Sequence, residues 1–184
     1  MFDRLNLEET VSSAARSLTL LFLIAAGHTT EGGQTPKPHA QPLSRRLVGQ
    51  WSLVAFEMVS GTRAEYPFGR DATGQLTYDA AGRMSVQIMK AGRPTFSSGD
   101  RAAGTAEETV AAFRGYDAYY GTYRVDERAG VVTHRLTGSL YPNWVGSEQR
   151  RQIVLEGDRL TLSTPPIPFR GEERVFRLVW KRLE

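Results

Sequence analysis

The chain contains no cysteine. That absence removes disulfides, thiolate metal sites, a cysteine nucleophile and a lipidated cysteine anchor together. Histidine is nearly as scarce: there are three, and only His134 lies beyond the first 44 residues. His28 and His39 fall in a Gly-, Thr-, Gln- and Pro-rich stretch with no fixed geometry to offer an ion, so no metal site is expected. A charge excess is missing too. The 23 Lys and Arg against 20 Asp and Glu leave a formal charge of +3, and the arginines alternate with acids and apolar residues. A nucleic-acid surface concentrates basic residues on one stripe with aromatics between them, so no nucleic-acid partner is expected. The strongest apolar run, Leu18 to Gly27, is too short to span a bilayer. No Gly-x-x-x-x-Gly-Lys-Ser/Thr loop, Gly-x-Ser-x-Gly elbow or His-Glu-x-x-His helix is present. Phosphate cradling, Ser-His-Asp acyl transfer and zinc hydrolysis therefore lack a sequence basis, and no cofactor is expected.

What is present divides into three parts. Residues 1–27 read as an export signal, with the apolar run as its core and Ala25 and Gly27 as small residues at a cleavage site. Asp3, Glu8 and Glu9 oppose Arg4 and Arg16 in the flank, and a short surface-packed helix is the competing reading. The expected location is periplasmic or secreted, and cytoplasmic if the helix reading holds. Residues 28–44, with Pro36, Pro38 and Pro42, cannot bury enough apolar surface to offset their ordering entropy and read as a flexible linker. Residues 45–184 are long enough for one domain with one core.

In that domain the apolar pattern has period two. Strands are expected at Leu47–Val59, Gly74–Tyr78, Arg83–Met89, Tyr119–Val125, Val131–Thr137, Gln149–Glu156, Arg159–Thr164 and Arg174–Arg182. Connections such as Asp79-Ala-Ala-Gly82 and Glu156-Gly-Asp158 are too short for crossover helices, so the strands run antiparallel. One break occurs. Thr105-Ala-Glu-Glu108 is a capping box, and Val110 and Phe113 follow at helical spacing, predicting about three turns of helix to near Tyr116. Its apolar side should bury against the barrel, on its flank or across one mouth. The fold class is all-β: an eight-stranded antiparallel up-and-down barrel with one inserted helix and an N-terminal leader. Closure at eight strands leaves an interior that packs full or holds one small ligand.

The residues then carry a family likeness. Leu47-Val-Gly49-Gln-Trp51 holds the Gly-x-Trp pair that opens lipocalin and other calycin barrels. Tyr66-Pro-Phe-Gly69, Phe113-Arg-Gly-Tyr116, Gly121-Thr-Tyr123, Val132-Thr-His134 and Gly138-Ser-Leu-Tyr-Pro-Asn-Trp-Val-Gly146 follow in order and at compatible spacing. From about Arg45 to Leu183 the chain resembles the bacterial and fungal lipocalin-like domain family. The resemblance implies a barrel with a pocket, and a structural signature in which Trp51, next to Gly49, plugs the closed end beneath a basic side chain of the last strand. Arg177, Lys181 and Arg182 are the candidates for that side chain.

His134 shares a face with Val132 and Leu136, so an apolar lining would place an imidazole inside. It is the candidate catalytic residue; a buried histidine held by a tyrosine hydroxyl or a carbonyl is the plainer reading. Tyr78, Tyr119 and Tyr123 supply apolar bodies with polar tips, suited either to orienting an amphipathic ligand or to filling a core. Asn143 and Trp144 follow Pro142 in a turn at a barrel end, where they gate a mouth or cap the turn. Arg150 and Arg151 occupy opposite faces of one strand, and an inward one would seek a carboxylate or an acidic ligand. The candidate ligand-binding set is thus Tyr78, Tyr119, Tyr123, His134, Asn143, Trp144 and Arg150. The expected function is binding or sequestration of a small, mostly apolar or amphipathic molecule in the barrel. The alternative is a cofactor-free cyclase or isomerase acting on such a molecule through His134 and a tyrosine. A solid barrel binding partners by its outer face has no positive sequence support.

Overall fold

The computed structural model describes residues 41–184. The expected export signal and most of the linker lie outside the described residues. The linker's last residues do not behave as a tether: Leu43–Leu47 form a short helix, α1. The Glu127 carboxylate accepts from the backbone N–H groups of Leu43 and Ser44, satisfying donors that a helix start leaves open.

Ten strands follow: β1 Gly49–Ser60, β2 Arg63–Glu65, β3 Thr73–Tyr78, β4 Arg83–Met89, β5 Tyr116–Asp126, β6 Val131–Ser139, β7 Glu148–Glu156, β8 Arg159–Ser163, β9 Ile167–Phe169 and β10 Glu172–Arg182. Eight of them pair antiparallel in the circular order β1, β3, β4, β5, β6, β7, β8, β10, and β1 pairing with β10 closes the barrel. These are the eight expected strands. The short β2 and β9 extend one end of the barrel, pairing with the end of β1 and the start of β10.

The two ends differ. At the closed end Trp51 is fully buried, its indole N–H donating to the Leu47 carbonyl over 2.9 Å. The basic side chain over it is Arg182, with its guanidinium carbon 4.1 Å from the ring centroid. That guanidinium also donates to the carbonyls of Val48 and Arg46. The Gly-x-Trp spacing follows from this lid. A Cβ on Gly49 would lie 2.5 Å from Arg182 Nη1, and the backbone there has φ +139°, a region side chains disfavour. Replacing Arg182 by Met removes a cation–π contact and leaves two carbonyls without a donor. The expected loss is about 1–3 kcal/mol in urea denaturation at unchanged slope.

At the other end lies α2, Ala106–Arg114, which starts on the expected capping box between Thr105 and Glu108. Its apolar side, expected to be buried against the barrel, is not. No residue of α2 is buried, and Phe113 is 46% exposed. Polar ties hold the helix instead. Glu108 accepts from the Ser97 and Thr105 N–H groups, and the Arg93 guanidinium donates to the Ala112 carbonyl. Among the described residues no helix is long and apolar enough to cross a membrane.

Candidate functional site

The open end of the barrel is a cavity of about 880 Å³, a volume suited to one ligand of several rings. Two aromatic walls face each other across it. On the β1 and β10 side, Phe56 meets Phe68 at 5.4 Å and Phe176 at 6.0 Å, and Phe176 meets Phe169 at 5.5 Å between ring centroids. On the β5 and β6 side, Tyr141 meets Trp144 at 5.7 Å and Trp144 meets Tyr119 at 5.8 Å, both edge to face. Tyr119 continues the column inward to His134 at 6.2 Å, which meets Tyr78 at 5.7 Å; Tyr78 meets Tyr123 at 4.5 Å.

Five residues of the expected set therefore fall in one column, but at different depths. Trp144 and Tyr119 line the cavity. Tyr78, His134 and Tyr123 lie outside its lining, toward the closed end where Tyr78 pairs with Gly49, and His134 is only 1% exposed. Its Nε2 is 2.6 Å from the Tyr78 hydroxyl, and the Tyr123 hydroxyl donates to the Asp79 carbonyl. Burial pushes the His134 imidazole down to about 3, with the positive charge of Arg151 acting the same way. The ring is neutral at physiological pH, as a base without a compensating anion must be. Burial likewise raises the Tyr78 and Tyr119 phenols.

The cavity's polar groups are mostly ones the sequence reading did not choose. Arg151 is half-buried and turns inward with Gln149 and Ile153, whereas Arg150 is exposed at the rim. Arg151, and not Arg150, is thus the interior arginine. Its Nη2 donates to Gln149 Oε1 at 2.6 Å and its Nη1 to the Arg150 carbonyl at 2.9 Å. The ambiguity came from Ile153-Val154-Leu155, three apolar residues in a row that hide the parity; Val154 is the outward one. Asp117 also lines the cavity, and burial raises its carboxyl against the opposing pull of Arg151. Its even spacing from Tyr119 and Tyr123 could have revealed it. The phenylalanine wall had no polar atom to attract notice. Asn143 is exposed and does not line the cavity. Among the described residues no group of three or more His, Asp or Glu is placed to hold a metal.

A family model for a lipocalin-like domain matches residues 48–183. The chain belongs to the lipocalin-like domain family. The matched span begins just before the Gly-x-Trp pair and ends just after the lid arginine. The lipocalin-like barrel is also similar to a 4'-hydroxy-3'-methoxypropiophenone carrier protein of Aspergillus oryzae. The two are 37% identical over 107 residues, covering 54% of this chain and 96% of the relative.

Proposed function

We propose that this lipocalin-like barrel binds and carries one small, mostly apolar aromatic molecule, held flat between the two ring walls. The observation that carries this reading is the facing pair of walls around an open volume of about 880 Å³. Offset or edge contacts with such rings add to the burial of a ligand's apolar area. The relative named as a carrier of an aryl ketone supports the same class of cargo.

Trp144 reports on the site, since Trp51 and Trp180 are buried in the core. Titration with an aryl ketone such as 2-acetonaphthone is expected to quench Trp144 emission saturably, at one ligand per chain by native mass spectrometry. Trp144→Phe should keep the binding and lose most of the quench. Absence of saturable binding across a panel of aryl ketones, phenols and aromatic acids sinks the carrier reading.

A cofactor-free cyclase or isomerase in the same cavity is the second reading, and Asp117 is the observation that favours it. A carboxyl desolvated against an aromatic wall is a candidate proton acceptor or donor. His134 lies beneath Tyr119, outside the cavity lining, and does not support such a role. Recovery of the bound ketone unchanged separates carriage from conversion.

A further inference from the structure

Arg151 brings a positive charge to a cavity walled largely by rings and aliphatic side chains. Its two hydrogen bonds go to neutral oxygens, Gln149 Oε1 and the Arg150 carbonyl. Among the described residues no carboxylate lies within ion-pair distance of it. Glu148 on the rim is already engaged by Arg124 through both oxygens, at 2.9 and 3.1 Å. A guanidinium has five N–H donors in a planar fork, so Arg151 keeps several for a ligand. The Tyr119 hydroxyl stands beside it and also faces the cavity.

We propose that Arg151 and the Tyr119 hydroxyl form an anion-binding end of the cavity, and that the cargo is a flat aromatic molecule bearing a carboxylate. The proposal rests on the carrier reading and specifies its ligand class. A half-buried cation with only neutral partners gains most from an anion delivered by the ligand, because both charges are then paired out of water. The fork matches the two oxygens of a carboxylate better than the single oxygen of an ionised phenol. The charges facing this end are few. Asp117 on β5 is the opposing anion, Arg150 and the Arg124-paired Glu148 on β7 lie at the rim, and the neutral His134 on β6 adds no charge. Asp117 therefore works against an anionic ligand, and removing its charge should strengthen the binding that removing Arg151 weakens.

The test uses the full chain, with 2-naphthoate and its methyl ester as probes of nearly equal shape, followed by calorimetry. Wild type is expected to prefer the acid by about tenfold or more. Arg151→Gln should abolish that preference with little effect on the ester. Asp117→Asn should tighten naphthoate about threefold or more and leave the ester unchanged. Opposite signs from two cavity variants cannot come from general damage to the fold. 2-Naphthol provides the phenolic arm at about pH 10, where it is ionised, and binding it there as tightly as naphthoate overturns the carboxylate assignment. Equal binding of acid and ester by wild type, or equal weakening of both by Arg151→Gln, overturns the anion subsite and leaves the aromatic carrier standing. Loss of the preference in Arg150→Gln instead moves the contact to the rim and also overturns it. Failure of all three probes to bind wild type sinks the carrier reading and this one together.

Discussion

Gly121→Ala is expected to lower stability by roughly 3–5 kcal/mol, enough to drop the melting temperature by about 10–20 °C or prevent folding. A Cβ at this position would overlap the Arg135 carbonyl oxygen and sit 3.0 Å from both the Arg135 carbonyl carbon and Leu136 Cα. These are backbone atoms of β6, which is paired on both sides, so neither strand can move away without breaking a ladder. The close approach occurs at a bulge. Tyr120 pairs with Gly138 and Gly121 with Leu136, leaving Thr137 unpaired. Bulges bend and twist the strand that carries them, and this one precedes the Leu140–Trp144 segment along the cavity wall. Gly138→Ala is the comparison. The three atoms nearest its Cβ would all belong to the Tyr120 side chain, and Tyr120 is 60% exposed and free to swing aside. A melt by circular dichroism should show a small shift for Gly138→Ala and a large one for Gly121→Ala. Similar small shifts for both would mean that the β5–β6 approach is soft and the bulge replaceable.

Gly121 also illustrates what the sequence discloses and what it withholds. The period-two pattern located all eight barrel strands, because each has one face in the core and alternation is a direct print of burial. A glycine beside Tyr119 and Tyr123 reads as clearing space between the two rings. The structure gives a different reason, the passage of a neighbouring backbone, which depends on a bulge one strand away and leaves no local pattern. The Gly49–Trp51 plug was legible from motif, but Arg182 as its lid was not, since Arg177, Lys181 and Arg182 share one strand and only register separates them. The short β2 and β9 have too few residues to show a period. Within the site, Tyr78, Tyr119, Tyr123, His134 and Trp144 all belong to one ring column. Depth along the barrel axis decides which of them a ligand can reach, and depth follows from stagger between strands, which alternation does not encode.

Acid between pH 7 and pH 5 should destabilise the protein through His134 by about 2 kcal/mol, and His134→Gln should remove most of that slope. In the unfolded chain the imidazole protonates near its ordinary 6.5, whereas in the barrel burial holds it at about 3. Between those values the unfolded state binds a proton that the folded state refuses, so unfolding becomes easier as pH falls. Asp117, held above the usual carboxylate range, acts in the opposite direction on acidification, so the readout is the difference between wild type and variant. The paired carboxylates, such as Glu108 and Glu127, are held below their usual range and contribute chiefly at lower pH. Urea denaturation at half-unit steps of pH supplies the measurement; parallel curves for the two proteins would show that His134 titrates normally and is not sealed in. The hydrogen bond explains why the ring tolerates burial at all. Burial raises the Tyr78 phenol, which keeps its proton; with the ring's own proton on Nδ1 that phenol donates to Nε2, and the Nδ1 N–H alone is left without a partner. The reverse arrangement would leave two orphans in place of one, the Tyr78 proton and the Nδ1 lone pair. A neutral His134 also fixes the electrostatics above it. From pH 7 to pH 5 the cavity floor gains no charge from below, and any change in ligand affinity over that range belongs to Asp117 and the ligand itself.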